Sequence, residues 1–198
     1  DELAAADLDL DSLLSGVEAV IITANTAAPR AGDDASRFIQ GEHRIDGKRL
    51  PYTESVGIAM IGRWPGHFEA GAQDHRLVTN LDIPASIWKA ARLQPDYRLD
   101  GIALQGRASR ERVLLEHWGH FAGRGVPSWA STRTKDYQYV EYYGREDRRI
   151  FREYYDLRKD PWMLENLFGN DNKKDDPAGP PLSDRLASDR TCAGPSCP

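Results

Sequence analysis

An imidazole, an ammonium and two guanidinium groups crowd into one short stretch of the sequence: His43, Arg44, Lys48 and Arg49, with Gly41 and Gly47 among them and Pro51-Tyr52-Thr53-Glu54 following. The glycines let the backbone turn tightly, and the stretch runs into an apolar strand pattern from Val56 to Ile61. A loop of this kind at the end of a buried strand can cradle a small anion. At an effective dielectric near 20, an ammonium about 4 Å from a monoanionic ester gains on the order of 4 kcal/mol before desolvation is counted. On the residues alone, His43 stays open between an anion contact and a surface imidazole.

The elements that must position this stretch follow from periodicity and punctuation. Val17 to Thr23 has the β-branched density of a buried strand, and the strand from Val56 to Ile61 is closed by the Pro65-Gly66 turn signal. Leu77 to Asn80 reads as a short strand. Asp82 can cap a helix with Pro84 in its first turn, continuing through Ala91 with its apolar side against a sheet. A strand pattern returns from Val113 to Trp118, where the neighbours Glu116 and His117 point to opposite faces and so do not act as a pair. Tyr137 to Tyr143 and Ile150 to Leu157 form a hairpin across a polar connection. Asp160 and Pro161 then open a short helix that buries Leu164, Leu167 and Phe168 and ends at Gly169. Residues 170–181 form a polar, proline-rich loop before a last helical turn at Leu182 to Leu186.

Several side chains carry two readings. Trp118, Phe121 and Trp129 suit either stacking on sugar rings or core packing. Arg133 and Lys135 suit either an anionic sugar or solvent. Asp33 and Asp34 read as solvated loop residues, and His67 and His75 lack a partner at metal-ligand spacing.

Composition narrows the function classes. A chain of 198 residues makes one domain the default and can bury a real core. A net charge of -5 without a basic stripe argues against a nucleic-acid partner. No apolar run approaches the roughly 20 residues of a membrane-spanning helix, and the acidic start Asp1-Glu2 is not a signal peptide. Either the chain is cytosolic or an export signal lies further upstream. Cys192 and Cys197 are either two free thiols or a disulfide closing a short loop; the disulfide is the preferred reading, worth roughly 2 kcal/mol in the chain-entropy model and suited to an oxidising compartment.

The stretch from Phe38 to Gly66, FIQGEHRIDGKRLPYTESVGIAMIGRWPG, resembles a segment of the sulfatases of the alkaline-phosphatase superfamily, in which GEH, GK, PYEES, a strand and RxPG follow in this order. LVTNLDIPASIWKAA, LDGIAL, YQYVEYY, YYDLRKDPWMLENL and CAGPSC extend the resemblance to Cys197, and together they are most similar to the N-acetylglucosamine-6-sulfatase group. Several motifs in order are far more specific than one. The resemblance implies an α/β fold: a partial alkaline-phosphatase-like sheet in residues 1–112 and a small C-terminal antiparallel subdomain, hairpin plus helix, in 113–198.

It also implies roles. Lys48 stands where the family lysine contacts the sulfate, with three donors on a flexible stem that can follow moving oxygen charge. His43 becomes a second substrate contact, and Asn25 a residual metal ligand. Calcium or another divalent cation is the expected cofactor, and a sulfated sugar of glycosaminoglycan type the expected substrate. Two departures stand out: neither the C/S-x-P/A-x-R nucleophile motif nor the early pair of metal aspartates occurs in this sequence. Ala24 stands near where a further aspartate ligand is usual, which removes one anionic donor for a hard cation. The expectation is the C-terminal part of a sulfatase, inactive alone, secreted, periplasmic or at the cell surface, with a missing N-terminal half as a partner. The alternative is a non-catalytic module that binds sulfated glycans or another chain.

Overall fold

The computed structural model describes residues 20–24, 43, 48–119 and 125–198. In chain order these form β1 (Val20–Ala24), a single helical turn α1 (Thr53–Val56), β2 (Ala59–Arg63), α2 (Asp82–Ala90), β3 (Arg112–His117), β4 (Ser128–Thr134), β5 (Tyr137–Tyr143), β6 (Arg149–Asp156) and α3 (Gly179–Asp189). β1 and β2 pair antiparallel as a ribbon, and β3-β4-β5-β6 make an antiparallel sheet in that order. No helix among the described residues is long and apolar enough to cross a membrane.

The four-stranded sheet is buried on both faces because its strands carry large side chains on both alternations. One face packs Ala130, Tyr139 and Tyr143 against Leu186 of α3. The other packs Trp129, Val140 and Tyr142 against Val56 of α1, with Leu115 and Val126. As the sequence indicates, β5 and β6 form a hairpin, in register from Tyr137↔Asp156 to Tyr142↔Phe151. The β4–β5 turn is closed by Thr134, whose hydroxyl oxygen accepts the N–H groups of Asp136 (3.1 Å) and Tyr137 (2.9 Å).

Several sequence expectations change. The strand expected from Val56 to Ile61 is divided: Ser55 and Val56 donate their N–H groups to the Tyr52 carbonyl, so the chain turns through α1 before β2 begins at Ala59. The first strand runs Val20–Ala24, and 17–19 lie outside the described residues. Leu77 to Asn80 is not a strand, because the Thr79 N–H binds the Asp82 carboxylate (2.8 Å) and its carbonyl accepts the Asp82 N–H (3.1 Å). That backbone is spent on a capping turn rather than a ladder.

The helix expected after Asp160 does not form. Asn166 and Leu167 instead satisfy the outer edge of β6: Leu167 N–H donates to the Tyr154 carbonyl (3.0 Å), and the Asn166 side chain bonds Tyr154 N–H (3.0 Å) and the Arg152 carbonyl (3.2 Å). Leu164, expected inside, is exposed, and Met163 is fully buried in its place. The last helix is longer than one turn, running Gly179–Asp189 with prolines at its start, where their missing N–H groups need no partner.

α2 is turned inside out. Its buried positions are Asp82, Ala85 and Ser86, whereas Ile87 is 58% exposed. The reason is the Asp82 carboxylate, which accepts Ile102 N–H (2.7 Å) and both terminal nitrogens of Arg110 (2.8 and 2.7 Å). Ser86 completes the attachment by accepting Leu104 N–H at 2.9 Å. Both ionic side chains are almost wholly buried, 2% exposed for Asp82 and 4% for Arg110. Removing one partner leaves a buried, unpaired charge, so Asp82→Ala is expected to cost about 3–5 kcal/mol in urea unfolding. The double change Asp82→Leu with Arg110→Met is expected to recover a large part of that loss.

Candidate functional site

The segment that carries Lys48 lies along one face of the sheet and is held by side chains of three strands. Trp129 of β4 donates its indole N–H to the Arg49 carbonyl (2.8 Å). Gln138 of β5 donates to the Pro51 carbonyl (2.6 Å). Tyr52 then donates its hydroxyl to Glu153 of β6 (3.2 Å), whose other oxygen accepts the hydroxyl of Tyr142 (2.9 Å).

Glu153 is 5% exposed. Burial raises its pKa above the ordinary glutamate value, and the tyrosine hydroxyls offset that only in part. Burial and the neighbouring Glu153 charge together push Tyr52 up to about 12. For a carboxyl whose folded pKa is raised, the stabilising contribution is complete below the unfolded pKa and is lost as pH rises through the folded one. Glu153→Gln removes the charge that must be buried. Thermal unfolding from pH 4 to pH 7 is therefore expected to move progressively in the variant's favour relative to wild type, and a constant difference would contradict this.

His43 and Glu54 brace the same segment from the other side. The His43 ring places Nδ1 2.8 Å from Glu54 Oε1 and Nε2 2.9 Å from the Met163 carbonyl, and the His43 backbone N–H donates to the same carboxylate oxygen at 3.1 Å. The ring also stacks on Tyr52, with centroids 3.7 Å apart. Both nitrogens thus face acceptors, and His43 is a strut between the Lys48 segment and the turn after β6. Met163 sits at φ 62, a strained setting for a residue that is not glycine, and it is anchored by what surrounds it. Its carbonyl takes His43, and its sulfur takes Thr53 (3.4 Å) and Arg133 (3.7 Å).

Burial works against the Glu54 carboxylate, but the backbone N–H donors and the His43 ring outweigh it and hold the group below the usual range. The sign is opposite to that of Glu153: the contribution is present above the unfolded pKa and fades as pH falls through the folded one. Glu54→Gln is expected to lower stability by about 1 kcal/mol or somewhat more at pH 7, with the gap closing below the ordinary glutamate range. Denaturant midpoints at pH 7, 5 and 3.5 would test it.

Both sequence-predicted contacts reach α1 or its end, His43 through Glu54 and Lys48 through the carbonyl of Gly57. Lys48 is partly exposed, and its ammonium donates to the Gly57 carbonyl at 3.3 Å. Asn25, Asp33, Asp34 and Phe121 lie outside the described residues. Trp118 is 51% exposed, whereas Trp129 is core. Arg133 is turned inward to Gln138 and Thr53, and burial lowers its pKa. Lys135, His67 and His75 are exposed. Glu116 and His117 do separate as expected: Glu116 bonds Arg190 (3.2 Å), and His117 stacks on Trp129.

Among the described residues no three His, Cys, Asp or Glu side chains converge as a metal site. Calcium or another divalent cation therefore has no acidic or histidine donor set among them. Cys192 and Cys197 are joined in a disulfide, and Gly194 inside that loop donates its N–H to Asp100 (2.7 Å).

Sequence reasoning missed Glu153, Tyr52, Gln138 and Met163. A usable signal existed for the first. A glutamate two positions from a tyrosine in a strand of otherwise large, buried side chains, as in Glu153 and Tyr155 or Tyr139, Glu141 and Tyr143, puts a carboxylate beside hydroxyl donors on one face. Met163 left no such trace, because its position is set by contacts distant in sequence.

Comparison with known proteins fits this geometry to a family. The family described as N-sulphoglucosamine sulphohydrolase, C-terminal, matches residues 41–188. A curated relative, an N-acetylglucosamine-6-O-sulfatase of Bacteroides thetaiotaomicron, is 25% identical over 83% of this chain and 30% of its own length. A solved structure of a protein in complex with its substrate D-glucosamine-2-N,6-O-disulfate shares the fold with a TM-score of 0.58. It is 23% identical, over 65% of this chain and 27% of that one. The chain thus spans under a third of the length of these relatives.

Proposed function

Because the chain belongs to the N-sulphoglucosamine sulphohydrolase C-terminal family, we propose that it is the substrate-contacting C-terminal part of a sulfatase acting on a sulfated glucosamine, with Lys48 as its sulfate contact. The observation that carries this is the contrast around Lys48. The backbone just after it is fixed at Arg49 and Pro51 by two strands, while its ammonium has a single carbonyl acceptor among the described residues. Among the described residues two of its three protons remain for an anion. In sulfate-ester hydrolysis such a cation stabilises charge on the sulfonyl oxygens as the ester bond breaks.

In this reading His43 positions the segment through Glu54 and Met163 and does not touch sulfate. The nucleophile and the metal carboxylates, absent from this sequence, come from a further part of a sulfatase α/β domain. Leu81 just before α2 (53% exposed), Ile87 on α2 and Ile61 on β2 (65% exposed) offer apolar surface for it. The disulfide suits an oxidising compartment, hence export.

Titration calorimetry of the chain with N-acetylglucosamine 6-sulfate, wild type against Lys48→Ala, tests the contact. A charge-assisted hydrogen bond is worth about 1.5–3 kcal/mol, so a loss of roughly tenfold or more in affinity is expected. Binding indifferent to Lys48 would remove the assignment. Incubation of the chain alone with the same ester and calcium is expected to release no sulfate above a blank.

A further inference from the structure

Arg133 is a cation turned toward the body of the fold with no acid to meet it. Its guanidinium donates to the Gln138 side-chain oxygen, to the Thr53 hydroxyl (3.3 Å) and to the Met163 sulfur (3.7 Å), all of them neutral. Arg110, Arg112 and Arg190, by contrast, each bond a carboxylate. Taking a guanidinium out of water is costly unless a counter-charge offsets it. Burial lowers the Arg133 pKa, and no neighbouring acid acts to raise it. Of the five N–H groups of an arginine, three meet these acceptors and two have none among the described residues.

The position of Arg133 ties it to the sulfate contact. Trp129, Ser131 and Arg133 alternate onto one face of β4, and on that face Trp129 holds the Arg49 carbonyl. Gln138, the register partner of Arg133, holds Pro51 there as well. The guanidinium reaches Thr53, the first residue of α1, while the Lys48 ammonium reaches the carbonyl of Gly57, which caps its end. α1 has four residues, about 6 Å of rise. Two cations thus attach at opposite ends of a single helical turn. The turn after β6 closes the Arg133 end: Thr53 donates to the Pro161 carbonyl (3.3 Å) and to the Met163 sulfur (3.4 Å), and Trp162 between them is 51% exposed. Its indole gives that end an apolar wall on which a sugar ring can rest.

We infer that the Arg133 guanidinium is a second anion contact of this site, taking a further carboxylate or sulfate of the sugar whose ester sulfate meets Lys48. A guanidinium fork accepts the paired oxygens of either group. A lysine alone would take any monosulfated sugar; a second cation at a fixed spacing selects those that carry a second charge. The inference rests on the sulfated-sugar reading of Lys48, and the two fail in different ways.

Calorimetry of the whole chain would use three probes: N-acetylglucosamine 6-sulfate, with one acidic group; glucosamine 2-N,6-O-disulfate, with two on one ring; and N-acetylglucosamine 6-sulfate linked to glucuronic acid, with a carboxylate on the neighbouring ring. At least one of the doubly charged probes is expected to bind about tenfold tighter than the monosulfate, as a charge-assisted hydrogen bond would give, and which one does so identifies the group. In Arg133→Met that gain is expected to fall to about twofold or less, and Arg133→Lys is expected to keep part of it. Lys48→Ala is expected to weaken all three probes. In the wild-type chain, where no variant has to fold, the Arg133 Nε–H resonance is expected to shift with the favoured probe and not with the monosulfate. Equal binding of the three probes, a gain that persists in Arg133→Met, or an Nε–H resonance that the favoured probe does not move overturns the second contact. Monosulfate binding indifferent to Lys48, with the Arg133-dependent gain intact, overturns the reading of Lys48 alone.

Discussion

The structure depends on carboxylates buried in a sheet and held by tyrosine hydroxyls. Glu153 on one face is shared by Tyr52 and Tyr142. Glu141 on the other is shared by Tyr139 and Tyr143, with Ser183 of α3 (2.6 Å) and Arg149 (2.8 Å). An unpaired buried carboxylate would be strongly destabilising, so whatever supplies its donors is drawn to the sheet. On one face that is α3, through Ser183. On the other it is the Lys48 segment, through Tyr52. The two glutamates thereby fix what covers each face more sharply than apolar packing would, since packing is non-directional and hydrogen bonds are not.

The two carboxylates differ in how fully they are answered. Burial pushes Glu141 upward, but Ser183, Tyr139, Arg149 and Tyr143 together hold it below the usual range. Glu153 has hydroxyl donors and no cation bonded to it among the described residues, and it stays above that range. The side that carries Lys48 is therefore the side with the less completely neutralised charge. His43 and Glu54 add a second tie to that side, from Tyr52 to Met163. Two ties placed on either side of Thr53 leave little freedom for the backbone that presents the lysine.

Where local pattern and tertiary demand agree, the sequence is legible. The β5–β6 hairpin follows from alternating aromatic and β-branched residues with a polar connection, and α2 starts at Asp82 with Pro84 in its first turn, although Asp82 is its first residue and not its cap and gives its carboxylate to Ile102 and Arg110. Where they disagree, the pattern misleads. Asp160-Pro161 followed by spaced Leu and Phe has every mark of a helix start, but the free edge of β6 needs partners, and the Asn166 side chain and the Leu167 N–H supply them from a non-helical turn. The apolar run after Glu54 reads as one strand because periodicity cannot register that Ser55 and Val56 bond back to Tyr52. Lys48 was visible in the sequence as a charge, and its family role came from the resemblance. His43 was visible too, but its work as a strut depends on Met163, 120 residues away.

A polar demand likewise shapes α2, whose exposed stripe looks like an error in isolation. A helix that buries Asp82 and Ser86 and turns Ile87 outward gives up apolar burial worth about 1.5–3 kcal/mol for a large side chain. It does so because the Asp82–Arg110 pair and the Ser86 hydroxyl hold residues 102–110 in place, and those residues lead directly into β3. The polar face is thus required for the sheet that holds the Lys48 segment, and Ile87 on the apolar face is left exposed.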